Sequence, residues 1–231
     1  MPINELLLRP EWFVGAESVF ETISLIITLV ISIYAYRAYK LSSNRRYRYL
    51  AVAFLSMSAG FFFKLVSNAV VGFLVMFTEI AKSIPILKAS HIYTGSLILF
   101  VFFILGGYVV LSSLASDVKN KRIIILFLLI AMLCAVLVRE ARSFTFFYFF
   151  SFVMLAVYIV PYMYDNYKKQ KSANSYLVFL SFILLAVSNL TFIFINTTLS
   201  STGLNLYAVG NSVSLAGYVL LLINMVLVMK K

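Results

Sequence analysis

Five polar residues lie inside long apolar stretches of the sequence, where such side chains are costly and mark candidate sites. Glu21 and Lys64 carry opposite charges, and Asn68, Asn189 and Asn211 carry amides. In membrane-crossing helices, which rise about 1.5 Å per residue, Glu21 and Lys64 reach a similar depth. We therefore predict an ion pair between Glu21 and Lys64, with the three asparagines lining the same space as candidate ligand contacts.

This polar set has two interpretations. Amide and hydroxyl groups hydrogen-bond across membrane helices at about 0.6 kcal/mol on average, which predicts simple packing contacts. The set also lies in the outer half of the predicted helices, and the inner half shows nothing comparable. That uneven depth predicts a polar cavity open to the outside that accepts a small molecule. In the packing interpretation, Lys64 extends its amine to the outer interface.

The composition identifies the environment of these residues. Of the 231 residues, 63% are hydrophobic and 12% are charged, whereas soluble domains average about 45–50% and about 25%. The chain is therefore expected to be an integral membrane protein. One histidine and one cysteine cannot form a metal cluster or a disulfide framework. We predict no cofactor, no metal site and no enzymatic activity.

Seven segments are apolar over about the 20 residues that a helix needs to cross a bilayer. The predicted fold is all-α, a seven-transmembrane-helix bundle that forms one membrane domain over 1–231. The spans are 14–39, 48–77, 91–115, 122–139, 143–166, 173–199 and 204–229. The seventh span contains no lysine, which excludes the retinal linkage of microbial rhodopsins.

The basic residues predict the orientation. Thirteen of the 19 lysines and arginines lie on one side of the predicted membrane, and six of the eight acidic residues lie on the other. Because cytoplasmic loops are rich in Lys and Arg, the N-terminus is predicted outside and the C-terminus in the cytoplasm. The net charge of +11 is explained by these loops, so we predict no nucleic acid partner. The N-terminal stretch lacks the pattern of a cleaved signal peptide. We expect a multi-pass protein of the cell membrane.

An internal repeat is the next prediction. Tyr36-Arg-Ala-Tyr39-Lys40 recurs 128 residues later as Tyr164-Asp-Asn-Tyr167-Lys168, and Gly107-Tyr-Val recurs as Gly217-Tyr-Val. The chain then divides into a three-helix repeat (1–115), a linker helix (116–142) and a second three-helix repeat (143–231). The alternative is a chance match between apolar sequences. Parallel repeats of this kind occur in some transporters, including the SWEET proteins.

One resemblance bears on function. The first two spans and their basic linker contain Tyr34-Ala-Tyr-Arg-Ala-Tyr-Lys, Arg45-Arg-Tyr-Arg-Tyr-Leu and Ser58-Ala-Gly-Phe-Phe-Phe. Over about fifty residues this pattern resembles the multi-span input modules of prokaryotic, especially archaeal, membrane sensors. The resemblance implies a sensor or receptor-like protein that acts through a protein partner.

Three functions share the predicted topology. The first is the sensor or receptor, with a small-molecule ligand that enters from the outer side. The second is a small-solute transporter or channel built on the repeat. The third is an accessory or scaffold subunit of a larger membrane complex. All three have the lipid bilayer as a partner.

Overall fold

The computed structural model describes residues 11–76, 86–115, 121–137, 143–195 and 201–229, and the described residues are all helical apart from short turns. Seven helices follow one another along the chain. They are α1 (Glu11–Ser42), α2 (Arg45–Met76), α3 (Ile86–Ala115), α4 (Lys121–Leu137), α5, α6 (Ala173–Ile195) and α7 (Ser201–Met229). Helix α5 consists of Ser143–Val153, a π-helical segment Met154–Ile159, and Val160–Gln170.

Six of the seven helices are long and apolar enough to cross a membrane, as in a multi-pass membrane protein. The exception is α4, whose 17 residues extend about 25 Å against a hydrocarbon core of about 30 Å. Ala131 and Ala135 form the buried face of α4, while Ile125, Leu129 and Leu133 are more than half exposed. The described structure therefore has seven helices at the predicted places, with six of the length of a membrane span.

The six long helices form a closed ring. Each helix of the ring packs on the next in the order α1, α2, α3, α5, α6 and α7, and α7 packs on α1. Helix α4 lies outside the ring, against α3 and α5. The hydrophobic core between them includes Phe54 and Phe182, both about 1% exposed. Such a ring leaves an interior along its axis in which buried polar groups meet.

Two tight turns connect neighbouring helices at one end of the ring, which we call the basic end. Ser43 directly follows helix α1 and Lys171 directly follows helix α5, each with a left-handed backbone (φ 52° and 47°). The Ser43 and Lys171 amides donate to the carbonyl oxygens of Tyr39 and Tyr167 at 2.8 and 2.7 Å. This i→i−4 closure satisfies a carbonyl at each helix end.

The helices approach most closely at glycines. A Cβ atom added at Gly107 in α3 would lie 2.7 Å from Met57 Cγ and 2.9 Å from the Ala53 carbonyl oxygen in α2. One added at Gly217 in α7 would lie 3.0 Å from the Ser181 carbonyl oxygen in α6. Small residues allow such backbone approach in membrane bundles.

Candidate functional site

Two carboxylates and one amine lie together inside the bundle, at the end opposite the turns. Lys64 Nζ on α2 lies 3.0 Å from Glu17 Oε1 and 3.9 Å from Glu21 Oε1, both on α1. The Asn68 amide donates to Glu21 Oε2 at 2.7 Å. Because Glu17 and Glu21 are four residues apart, they occupy one face of α1, and Lys64 and Asn68 repeat that spacing on α2.

A tyrosine connects this group to the far side of the ring. The Tyr207 hydroxyl of α7 donates to Glu17 Oε1 at 2.5 Å. Glu17 and Glu21 are 3% and 6% exposed, and the Lys64 side chain is 13% exposed. We call these five residues, Glu17, Glu21, Lys64, Asn68 and Tyr207, the Glu–Lys cluster. It ties α1 and α2 to α7 through charge-assisted hydrogen bonds, which are stronger than neutral ones.

The cluster differs from the predicted set in its membership. Glu21, Lys64 and Asn68 do meet, but Glu17 lies nearer to Lys64 than Glu21 does. The i−4 spacing of Glu17 from Glu21 was the signal for this contact. Tyr207 had no such signal, because a tyrosine near a helix end is typical of any membrane interface. Whether the set binds a ligand stays a prediction.

The other two predicted asparagines donate hydrogen bonds elsewhere. The Asn189 amide donates to the Leu185 carbonyl oxygen at 2.8 Å, and the Asn211 amide donates to the Tyr207 carbonyl oxygen at 3.1 Å. Both bonds lie within their own helices. Asn189 is 8% exposed and interacts with the Tyr108 hydroxyl, which also interacts with Tyr218. A second polar group therefore lies between α3, α6 and α7.

A cavity of about 360 Å³ opens at the basic end of the ring. Its walls combine amides, tyrosines, a serine and one arginine with six apolar side chains from α2, α3, α5, α6 and α7. The polar lining consists of Asn44, Arg46, Tyr47, Tyr162, Asn166, Gln170, Asn174, Ser175 and Asn224. We call it the basic-end cavity. The expectation that the predicted inner half holds nothing comparable to the outer polar set was therefore wrong. Sequence reasoning missed the cavity because most of these residues belong to turns or helix ends, where amides are common caps.

Asn224 is the buried member of this lining. Its side chain is 8% exposed, and its Oδ1 has no hydrogen-bond donor among the described residues. A buried acceptor left without a donor costs about 1–3 kcal/mol. Asn224 thus brings a buried acceptor without a donor among the described residues to the wall of the cavity.

His91 is exposed at the start of α3, and no group of metal-binding side chains occurs among the described residues. Arg139, Glu140, Arg142 and Asn196 lie outside the described residues.

Residues 18–88 are similar to a family of unknown function (DUF7521). The matched segment is under a third of the chain and includes Glu21, Lys64 and Asn68, but neither Glu17 nor Tyr207. The family's description carries no function, so the resemblance to sensor modules stays a prediction. No curated protein and no solved structure matches the chain.

Proposed function

We propose that the protein is a non-enzymatic small-solute transporter of the cell membrane, built from two three-helix halves. The halves are α1–α3 and α5–α7, α4 joins them, and the basic end faces the cytoplasm. One observation carries the proposal. The interface between the halves is tied at one end by the Glu–Lys cluster and open at the other end as the basic-end cavity.

Matching turns support the division into halves. Ser43 and Lys171, the two residues with a left-handed backbone in the described part of the chain, are 128 residues apart. At the same offset, Lys40 Nζ lies 5.3 Å above the Tyr36 ring and Lys168 Nζ lies 4.8 Å above the Tyr164 ring. The sequence offset found in the tyrosine motif thus relates two equal local structures.

Matching helix contacts extend this correspondence. Gly107 packs on Ala53 and Met57, and Gly217 packs on the residues 128 positions later, Ser181 and Leu185. The ring order is also unchanged when α1, α2 and α3 are exchanged with α5, α6 and α7. A pseudo-two-fold axis along the ring, which is the parallel type of transporter repeat, accounts for both observations.

The contacts across the axis also correspond. Tyr108 interacts with Asn189 of the opposite half, and Tyr218 packs edge-on against the Phe61 ring of the opposite half, with centroids 5.8 Å apart. Phe61 and Asn189 are again 128 residues apart. Tyr108 and Tyr218 interact with each other and lie between Phe61 and Asn189. Polar groups therefore lie at both ends of the interface and between the ends, as a path for a solute requires.

Closure at one end follows from the Glu–Lys cluster. The Tyr207 hydroxyl donates to Glu17 across the two halves, and the cluster is nearly solvent-free. The basic-end cavity, in contrast, is lined by both halves, with Arg46 and Tyr47 from one and Asn166 and Asn224 from the other. In this proposal the described conformation is open to the cytoplasm and closed to the outside.

The second candidate is the sensor or receptor-like protein, favoured by the resemblance of the first two spans to sensor modules. That function also uses the Glu–Lys cluster and acts through a partner protein. It requires opening at the outer end alone, whereas a transporter must close one end when the other opens. This difference in coupling separates the two functions experimentally.

The test measures accessibility at both ends in proteoliposomes of a Cys134→Ser background. Ser67→Cys reports on the outer end, because Ser67 is fully buried one turn from Lys64. Asn166→Cys reports on the basic-end cavity. Each reporter is labelled with an impermeant maleimide with and without Tyr207→Phe, which removes the hydroxyl that ties the halves.

A transporter predicts opposite changes, with faster labelling at the outer reporter and slower labelling at the cavity reporter. Tyr49→Phe, the same change at an exposed position, should alter neither rate. Faster outer labelling with constant cavity labelling would replace the transporter by the sensor. If Tyr207→Ala also changes neither rate, the cluster is static packing and the scaffold function remains.

A further inference from the structure

The basic-end cavity has a chemistry that selects its occupant. Its lining contains one arginine and no carboxylate, with five amide side chains and two tyrosines. The flanking turns add the basic residues Arg45, Arg48, Lys168, Lys169 and Lys171 against one acid, Asp165. This arrangement favours an anion over a cation or a strongly apolar molecule.

Asn224 adds a second requirement. Its buried Oδ1 lacks a donor among the described residues, so an occupant that carries a hydroxyl or N–H group would satisfy it. The position 110 residues earlier, which corresponds to Asn224 in the other half, is Leu114, and it lines the same cavity. An amide where the other half has an apolar residue is unexpected for packing alone, because a buried amide without its bonds destabilises the fold.

We propose that the basic-end cavity binds a small phosphate ester that also carries hydroxyl groups. Arg46 binds the phosphate oxygens, for which a guanidinium is well suited, and Asn224 accepts from a hydroxyl. The volume of about 360 Å³ lies at the lower end of small-molecule sites, which are about 300–1,000 Å³. The inference deepens the proposed function by naming the solute class and rests on it for transport, although binding itself is measured separately.

Two sources provide this chemistry. A soluble polyol phosphate reaches the cavity from the aqueous side, whereas a glycerophosphate headgroup reaches it from the bilayer surface. The first arm of the experiment titrates glycerol 3-phosphate into the full-length protein in phosphatidylcholine nanodiscs. Glycerol and inorganic phosphate, the two part-molecules of this ester, are titrated separately for comparison. The second arm replaces phosphatidylcholine with phosphatidylglycerol. Binding is read by equilibrium dialysis in the first arm, by co-purified lipid in the second, and by the apparent unfolding temperature in both.

Glycerol 3-phosphate should bind more tightly than either part-molecule. Arg46→Gln should weaken binding of both the ester and inorganic phosphate by about tenfold or more, since it removes a charge-assisted bond. Asn224→Leu should weaken the ester alone and raise the unfolding temperature of the unliganded protein. Arg45→Gln removes the same charge from an equally exposed neighbour that is outside the lining, and it should leave binding within about twofold.

The outcomes separate the possibilities. Enrichment of phosphatidylglycerol without binding of the soluble ester identifies a lipid headgroup site, and the converse identifies a soluble solute. No binding in either arm, or equal losses from Arg45→Gln and Arg46→Gln, overturns the proposal. Opposite labelling changes at the two ends with no ester binding would leave the transporter intact and refute only this solute class.

Discussion

Removal of the Lys64 amine is the most direct test of the energetics of the Glu–Lys cluster. Lys64→Met keeps the volume of the side chain while leaving Glu17 and Glu21, one helical turn apart, without their shared cation. Breaking a buried pair by removing one partner costs about 3–5 kcal/mol. The two carboxylates must then bind protons or repel each other, so we expect a loss in this range.

The distances also rank the two carboxylates. At an effective dielectric constant of about 20, the Coulomb attraction of Lys64 is about 5.5 kcal/mol to Glu17 at 3.0 Å and about 4.3 kcal/mol to Glu21 at 3.9 Å. Desolvation cancels much of both values. The order remains, so the coupling energy of Lys64 with Glu17 should exceed that with Glu21.

The assay is a pair of double-mutant cycles, Lys64→Met with Glu17→Gln and Lys64→Met with Glu21→Gln. Free energies of unfolding come from titration of mixed micelles with a denaturing detergent, followed by helical circular dichroism. Each double variant should recover about 0.5–3 kcal/mol relative to the sum of its single changes. Lys169→Met, at an exposed lysine of the basic end, should cost less than about 0.5 kcal/mol.

Additive losses in both cycles would refute the reasoning, because they would mean that Lys64 is not coupled to either carboxylate. Its amine would then extend to the outer interface, as the alternative interpretation of the sequence holds. Coupling to Glu21 alone would refute the ranking of the two carboxylates but leave the cluster in place.

Two further predictions concern orientation and packing. Single cysteines introduced by Ser43→Cys and Lys169→Cys should react with an impermeant reagent only from the cytoplasmic side, and reaction on intact cells would reverse the orientation. Gly107→Ala should lower stability by about 1–3 kcal/mol, because the new methyl group meets Met57 at 2.7 Å. Gly106→Ala, whose Cβ has its nearest contact at 3.5 Å, is the matched control, and an equal loss in the two variants would contradict the close packing of α2 and α3.

The sequence predicts the helices well because hydropathy and length alone define where a chain can cross a bilayer. It also predicts depth, since the rise per residue of a helix is fixed, and this brought Glu21 and Lys64 to one level. It does not determine how each helix is rotated relative to its neighbours. That rotation decides that Glu17 is nearer to Lys64 than Glu21 is.

The same limit applies to the parts that sequence reasoning missed. Tyr207 lies 190 residues from Glu17 along the chain, and only the ring closure between α7 and α1 brings them together. Asn224 is one of three asparagines in the largely apolar helix α7, and such residues usually make packing contacts. Asn224 lies in a cavity because five helix ends meet there, and no local sequence pattern predicts that they meet.

The π-helical segment of α5 has a consequence for the history of the two halves. A π-helical turn accommodates one more residue than an α-helical turn. At the basic end of the segment, the buried Ile31 and Ile159 correspond at an offset of 128, whereas before the segment the buried Ser24 and Ser151 correspond at 127. Under the proposed duplication, this segment accommodates one residue that the second half has and the first half lacks.

Under the same proposed duplication, the two halves differ at the level of the Glu–Lys cluster. Glu21 corresponds to Tyr148 at the offset of 127, and Lys64 corresponds to Phe192 at the offset of 128. The rings of Tyr148 and Phe192 stack with centroids 4.7 Å apart. One half thus has a charged contact where the other half has an aromatic contact. Natural selection on charge at this level would therefore act on a single copy, and the two halves need not be exchangeable despite their shared architecture.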